Sequence, residues 1–151
     1  MIQGTGQSLI EYAQTKLFSP LGIAHAEWIT DEHGIERAAS GLRMRPRDVA
    51  KIGQLLLDRG RVGNQSVVPE SWIEASLTPQ ARIDDEFNYG YQWWLPTQWH
   101  WFGAFGNGGQ RMNVMPRLVL VLVVTAGNYN QSDQWRVPVG VLVDVVLASL
   151  R

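Results

Sequence analysis

The segment FGAFGNGGQRMNVMP, from Phe102 to Pro116, decides the fold, because a glycine-rich bend leads directly into a strand-like run. Its first eight residues contain four glycines, and Gln110 to Met115 then alternate polar and apolar side chains. Glycine tolerates positive φ in a tight turn, and its missing side chain also lets a ligand lie against the backbone. Turn chemistry alone favours a hairpin turn.

Aromatic and β-branched residues around this segment predict further strands. They cluster in four runs, residues 89–95, 99–105, 110–115 and 118–125. The last run is apolar on both faces, which is typical of a central strand covered by helices on each side. The sequence therefore predicts an antiparallel sheet of three to four strands within residues 89–127.

Helical periodicity dominates the chain before the sheet and returns after it. Three amphipathic helices are predicted within residues 1–80, at 5–20, 46–58 and 69–77. Apolar residues recur at helical spacing from Val139 to Leu150, which predicts a C-terminal helix over residues 133–150 packed on the sheet. The many valines of this segment keep a strand as the competing interpretation. The fold class is α+β, with residues 1–151 as a single domain.

Composition excludes several classes of partner. Thirteen basic and fourteen acidic side chains give a net charge of −1, so the chain lacks the basic surface of a nucleic-acid-binding protein. The longest apolar stretch, Leu118 to Val124, is too short to cross a bilayer as a helix. The first residues do not have the pattern of a signal peptide, and zero cysteines exclude disulfides and thiolate metal sites.

The sequence predicts no metal and no cofactor. A dinucleotide loop requires G-x-G-x-x-G between a strand and a helix, whereas these glycines lie between two strands. His25, His33 and His100 are the only histidines. Acidic residues lie near the first two, but the spacing matches no helical ligand pair, so a solvated acidic loop is the better interpretation.

No catalytic nucleophile or base is recognisable in this chain. A Ser-x-x-Lys motif would place a lysine amine one helical turn from a serine hydroxyl. The only lysines, Lys16 and Lys51, follow Ala13 and Asp48 at that spacing. The G-x-S-x-G elbow of other serine hydrolases is also absent from the sequence.

Four tryptophans suggest an alternative function. Trp93, Trp94, Trp99 and Trp101 lie within nine residues, and exposed aromatic faces are common in sugar-binding surfaces. Strand alternation predicts that at least half of them belong to the core. A non-catalytic carbohydrate-binding, peptidoglycan-binding or interaction domain therefore stays open.

The order of several segments resembles the C-terminal portion of the serine β-lactamase-related family, which includes class C β-lactamases, penicillin-binding proteins and esterases. The segments are GTGQSLIEYAQTKLFSPLGI (residues 4–23), AASGLRMRPRDVAKIGQLLLDRG (38–60), VVPESWIEAS (67–76), YGYQWW (89–94) and FGNGGQRMNVMPRLVLVLVVTAGNYN (105–130). The resemblance covers nearly the whole chain. It implies an incomplete β-lactamase-like fold.

The family carries three motifs, of which only the third, a Lys-Thr-Gly or His-x-Gly strand, has a counterpart here. The resemblance implies that Ala104-Phe105-Gly106 forms this strand and that the Asn107 N–H is one oxyanion donor. Alanine in place of lysine or histidine argues against classical β-lactam carboxylate recognition and favours an esterase-like or uncharacterised hydrolase. The implied substrate-binding and oxyanion residues are Ala104, Phe105, Gly106, Asn107, Gly108 and Gly109.

The resemblance also implies what the chain lacks. Without the Ser-x-x-Lys and Tyr-x-Asn motifs, this C-terminal piece is expected to be inactive alone, and a small acyl substrate would bind only the full-length protein. The strand from Leu118 to Thr125 is expected to pair with the missing N-terminal half, or to cause self-association through its bare edge. The sequence names no compartment, although an exported or periplasmic parent would be consistent with the family.

Overall fold

Helices and two short hairpins occupy the first half of the chain in the computed structural model, which describes residues 2–149. Their bounds, in chain order, are α1 (Ile2–Thr5), α2 (Leu9–Ala13) with a π-helical continuation (Gln14–Phe18), β1 (Ala26–Trp28), β2 (Leu42–Met44), α3 (Pro46–Leu57), β3 (Arg61–Val62), β4 (Gln65–Ser66) and α4 (Glu70–Ser76). β1 pairs with β2 and β3 with β4, both antiparallel.

A six-stranded antiparallel sheet follows, and a helix ends the described chain. The bounds are β5 (Ala81–Arg82), β6 (Phe87–Tyr89), β7 (Trp94–Pro96), β8 (Phe102–Gly106), β9 (Gln110–Met115), β10 (Leu120–Val124) and α5 (Arg136–Gly140), which continues as a π-helical segment (Val141–Leu147). Each strand pairs with its neighbours in sequence, so the spatial order is β10-β9-β8-β7-β6-β5.

The predicted α+β class is confirmed, but the sheet has six strands where three to four were predicted. β5 and β6 were missed because two and three residues are too few to give a clear alternation. β10 lies at the edge of the sheet rather than in its centre. The C-terminal segment is helical, and the last predicted residue of that helix, Leu150, lies outside the described residues.

Helix α3 covers one face of the sheet and forms the core with it. Pro46 suits the first helical position because its missing N–H needs no partner there. Leu56 of this helix is buried in one cluster with Phe102, Met112 and Val114 of β8 and β9. Since Phe102 pairs with Val114, their side chains point to the same face, so α3 fixes which face of the hairpin is buried.

The face opposite α3 is called the second face below, and it carries every other residue of each strand. Its members include Gly103 and Phe105 of β8, Arg111, Asn113 and Met115 of β9, and Leu122 of β10. The C-terminal helix lies against one end of this face, where Val139 and Leu142 line a cavity together with Phe87 and Met115. No helix within the described range has both the length and the hydropathy to cross a bilayer.

We predict that Gly53→Ala destabilises the protein although alanine is the better helix former. A Cβ at Gly53 would lie 2.5 Å from Val121 Cγ1, so α3 or β10 would have to shift. Overpacking costs about 1–3 kcal/mol, which outweighs a helix-propensity gain of about 1 kcal/mol. Urea unfolding should show a net loss of roughly 1 kcal/mol.

The matched control is Gly140→Ala, also in a helix. Its added Cβ would meet only Asp144 Oδ2, at 3.7 Å. We expect the free energy of unfolding of this variant to rise by roughly 0.5–1 kcal/mol. Equal gains in both variants would contradict the close approach of α3 and β10.

Candidate active site

Strand β8 has one open edge, and it lies along the residues that the resemblance assigned to substrate binding. On the β9 side, all five residues of β8 are paired, from Phe102 opposite Val114 to Gly106 opposite Gln110. On the β7 side, only Gly103 is paired, opposite Trp94. The segment from Ala104 to Gly106 therefore has an unpaired edge at which an extended ligand could add hydrogen bonds.

The edge is open because the chain turns away just before β7. The Gly90 N–H donates to the Trp93 carbonyl at 2.9 Å, which closes a turn, and Gln92 has a φ of 69°. Trp93 then packs edge-on against Phe102, with ring centroids 5.8 Å apart. Residues 91–93 therefore do not extend β7. Among the described residues, none pairs with β8 on this side beyond Gly103.

Ala104 contributes only a methyl group to this edge. Its side chain is half-buried and packs against the core cluster, on the same face as Met112, with which it pairs. Position 104 therefore offers no cation for a substrate carboxylate. The related family pattern places a lysine or histidine at this position.

The bend after β8 is held by a second loop, residues 126–134. The Asn107 Nδ2 donates to Asn130 Oδ1 at 2.9 Å, and the Asn130 N–H donates to Asn107 Oδ1 at 3.1 Å. The Gly108 N–H donates to Gln134 Oε1, and the Gly108 carbonyl accepts the Asn128 N–H at 3.1 Å. Four hydrogen bonds thus fix the bend, and none of those formed among residues 2–149 uses the Asn107 N–H.

The glycines of the bend are required by packing against this loop. Gly108 and Gly109 have φ values of 87° and 83°, and both are buried. A Cβ at Gly108 would lie 2.6 Å from the Tyr129 ring, and one at Gly109 would lie 2.5 Å from the Gln134 carbonyl oxygen. Among the six implied site residues, only Gly106 and Asn107 are exposed.

Phe105 points away from the α3 side into an aromatic cluster on the second face. Its ring stacks on Trp94 with centroids 5.4 Å apart, and it also contacts Phe87 and Trp101. The Arg111 guanidinium carbon lies 3.8 Å from the Phe105 ring centroid. Burial lowers the pKa of Arg111 from its ordinary value. Phe105 therefore anchors the strand rather than facing its open edge.

Of the four tryptophans only Trp94 lies within a strand, because β7 begins at that residue and β8 begins only at Phe102. Trp93 packs toward the core on the α3 side and Trp94 lies on the second face. Trp93, Trp94 and Trp101 are half-buried, whereas Trp99 is 69% exposed. Among these four tryptophans, only Trp99 presents a largely exposed ring.

The loop 126–134 was missed in the sequence. Its run GNYNQSDQ directly follows the last strand, and such asparagine- and glutamine-rich segments supply many hydrogen-bonding groups to backbone. This asparagine- and glutamine-rich composition is the sequence signal from which the loop could have been predicted. In the part of the chain that the structure describes, no group of three or more His, Asp or Glu side chains could hold a metal ion.

Comparisons with known proteins identify similar sequences and folds. The beta-lactamase family profile matches residues 4–138. A 6-aminohexanoate-dimer hydrolase from Paenarthrobacter ureafaciens is 29% identical over 131 residues, covering 79% of this chain and 33% of that protein. A solved structure from Bacillus anthracis, described as a 6-aminohexanoate-dimer hydrolase, superposes with a TM-score of 0.81 at 27% identity.

The similarity extends over most of this chain, but over less than half of the length of each relative named here. The Bacillus anthracis structure is covered to 39% of its length by 97% of this chain. An octameric penicillin-binding protein homologue from Pyrococcus abyssi, with a TM-score of 0.66 and 19% identity, is likewise covered to 39% by 93% of this chain. The chain thus spans about a third to two-fifths of the length of these relatives.

We predict that Gly108→Ala destabilises the bend by more than backbone strain alone. Its positive φ costs an L-residue about 1–2 kcal/mol. Its Cβ would also overlap the Tyr129 ring, which adds about 1–3 kcal/mol or displaces the 126–134 loop. Urea unfolding measures the total loss of stability. If the 126–134 loop is displaced, the NMR resonances of the Asn107 and Asn130 side-chain amides should also shift.

Gly34→Ala is the matched control for the strain. Gly34 has a φ of 76°, and no atom lies within 4 Å of its added Cβ. The Gly34→Ala variant should therefore lose only about 1–2 kcal/mol in the free energy of unfolding. Equal losses in the two variants, with unshifted amide resonances, would show that Tyr129 does not pack on the bend.

Proposed function

The chain belongs to the beta-lactamase family, and from this premise we propose that it is the C-terminal part of a serine hydrolase acting on ester, amide or β-lactam acyl groups. This part supplies the third-motif strand and one oxyanion N–H. The Ser-x-x-Lys and Tyr-x-Asn motifs belong to polypeptide outside residues 1–151. Alone the chain is inactive, because a positioned acyl group without a nucleophile is not cleaved.

The observation that carries this proposal is the exposed pair Gly106–Asn107 at the open end of β8. An extended acyl group lies along the unpaired edge, and its carbonyl oxygen meets the Asn107 N–H. The side chain of Asn107 is tied to Asn130, which keeps the peptide in place before substrate arrives. A preorganised donor of this kind stabilises the negative charge that develops on the oxygen.

Ala104 narrows the substrate class. A β-lactam or another substrate with a carboxylate beside the strand would find no cation at this position. An ester or amide without that carboxylate loses no binding contact at position 104. The curated relative is named a 6-aminohexanoate-dimer hydrolase, which also supports a substrate other than a β-lactam.

The test is Asn107→Pro in the full-length protein, since proline removes the N–H at this position. We expect kcat/KM for a p-nitrophenyl ester to fall about 10²-fold or more. Asn107→Ala is the control, because it removes the bonds to Asn130 but keeps the N–H, and it should lose much less activity. The 151-residue chain itself should show no enzyme-level turnover of the ester or of nitrocefin. Turnover by that chain, or equal losses in both variants, would contradict the proposal.

A second part of the proposal concerns the outer edge of β10. In the full-length protein this edge pairs with a strand of the N-terminal half. β10 is half-buried along its whole length and apolar at all five positions, so an unpaired edge here invites association. The octameric assembly of the Pyrococcus abyssi homologue is a property of that protein, but it is compatible with association in this fold.

We expect the 151-residue chain to self-associate in sedimentation velocity, with a dimer or larger species growing from low to tens of micromolar, an order-of-magnitude range for edge pairing. The full-length protein should lack this concentration dependence because its own strand occupies the edge. A single monomer boundary for the 151-residue chain throughout the range would contradict pairing through β10.

A further inference from the structure

Tyr129 is an exposed aromatic residue whose backbone is fixed on both sides. It lies in the loop that follows β10, and it is 58% exposed. On one side of it, the Asn128 N–H donates to the Gly108 carbonyl at 3.1 Å. On the other side, the Asn130 N–H donates to Asn107 Oδ1 at 3.1 Å. A side chain held in this way can meet a ligand with little further loss of conformational entropy.

The residue after the ring has a strained backbone. Asn130 has a φ of 60°, in the left-handed region that residues other than glycine seldom adopt. Such conformations persist where surrounding contacts impose them, and they cluster at ligand sites. The two hydrogen bonds between Asn107 and Asn130 supply those contacts here. The strain thus belongs to the same arrangement that fixes Tyr129 beside the bend.

The Tyr129 ring borders the exposed pair Gly106–Asn107. A Cβ at Gly108 would lie 2.6 Å from Tyr129 Cδ1 and 2.7 Å from Cε1, so one edge of the ring contacts the backbone of the bend. At its other end, the Tyr129 hydroxyl accepts from Gln110 Nε2 at 3.4 Å. A Cβ at Gly106 would lie 3.2 Å from Gln110 Cβ. Gln110 therefore connects the ring to the end of the open strand edge.

The exposed face of this ring has no aromatic partner among residues 2–149. Two other exposed aromatic residues, Trp72 and Tyr91, cover each other, with ring centroids 5.5 Å apart and planes inclined by 18°. Trp135 is exposed as well, and the Arg136 guanidinium carbon lies 6.0 Å from its ring centroid. Within the same residues Tyr129 has neither kind of contact. Its face can accept a planar group in the stacked or edge-on geometry that aromatic pairs prefer.

We propose that Tyr129 is a specificity-determining residue, whose exposed ring stacks on an aromatic group of the substrate beside the scissile carbonyl. The position of that carbonyl rests on the proposed function, in which Asn107 is an oxyanion donor, whereas the ring contact itself does not. An aromatic group gains a contact with tyrosine that a saturated ring of similar size lacks. The preferred substrates are therefore esters or amides with a phenyl-type ring close to the carbonyl.

Tyr129→Leu in the full-length protein tests the preference, because leucine stays apolar but removes the ring. Ethyl phenylacetate and ethyl cyclohexylacetate are the matched substrates, since they differ in whether the ring is aromatic. The ratio of their kcat/KM values, phenyl over cyclohexyl, should fall about 2- to 10-fold, as expected for the loss of one aromatic pair. A general loss of activity from a displaced loop cancels in this ratio. An unchanged ratio would overturn the assignment.

Two control variants identify the ring as the cause. Tyr129→Phe loses the hydroxyl contact with Gln110 but keeps the ring, so the ratio should stay at the wild-type value. Trp99→Leu removes an exposed ring that precedes β8, at the opposite end of the strand from the bend, and it should also leave the ratio unchanged. A fall in the ratio equal to that of Tyr129→Leu in either control would contradict stacking on Tyr129.

Binding of phenylacetamide separates this assignment from the hydrolase proposal. Its Kd for the full-length protein is measured by NMR titration, and Tyr129→Leu should raise this Kd about 2- to 10-fold while leaving that of cyclohexylacetamide unchanged. If this shift is found but Asn107→Pro does not lower activity, the ring contact stands and the oxyanion role of Asn107 fails. Undetectable binding of phenylacetamide, or an equal Kd in wild type and Tyr129→Leu, would overturn the ring contact whether or not the ester is hydrolysed.

Discussion

The pairing of β8 with β9 across the glycine bend determines the rest of the structure. Its register, with Phe102 opposite Val114 and Gly106 opposite Gln110, sends one set of side chains toward α3 and the alternate set to the second face. A slip of one residue would exchange the two sets and bury Arg111 under α3. The close approach of α3 to β10 at Gly53 depends on this register as well, because Val121 pairs with Val114.

The bend illustrates how two demands on glycine are met by different residues. Gly108 and Gly109 have positive φ and are buried under the 126–134 loop, so they serve the turn and its packing. Gly106 instead lies exposed at the end of the open strand edge. The conformational role of the glycine-rich segment thus falls on Gly108 and Gly109, and approach of a ligand to Gly106 stays a prediction.

Much of the fold could be predicted because it depends on periodic patterns. The alternation of Gln110 to Met115 and the helical spacing after Pro46 gave β9 and α3, and both elements are present. The two-residue strand β5 and the edge position of β10 could not be predicted, since pairing partners are set by tertiary structure. For the site, the resemblance located the bend, and the oxyanion role of Asn107 stays a prediction. The contact between Asn107 and Asn130 spans 23 residues and has no local signal.

The apolar pattern of β10 predicts a central strand, whereas the structure places β10 at the edge of the sheet. A strand that is apolar on both faces belongs in the middle of a sheet because both faces and both edges are then covered. Among the described residues, β9 pairs with one edge of β10 and α3 packs on one of its faces. The proposed pairing of β10 with a strand of the N-terminal half accounts for this apolar pattern.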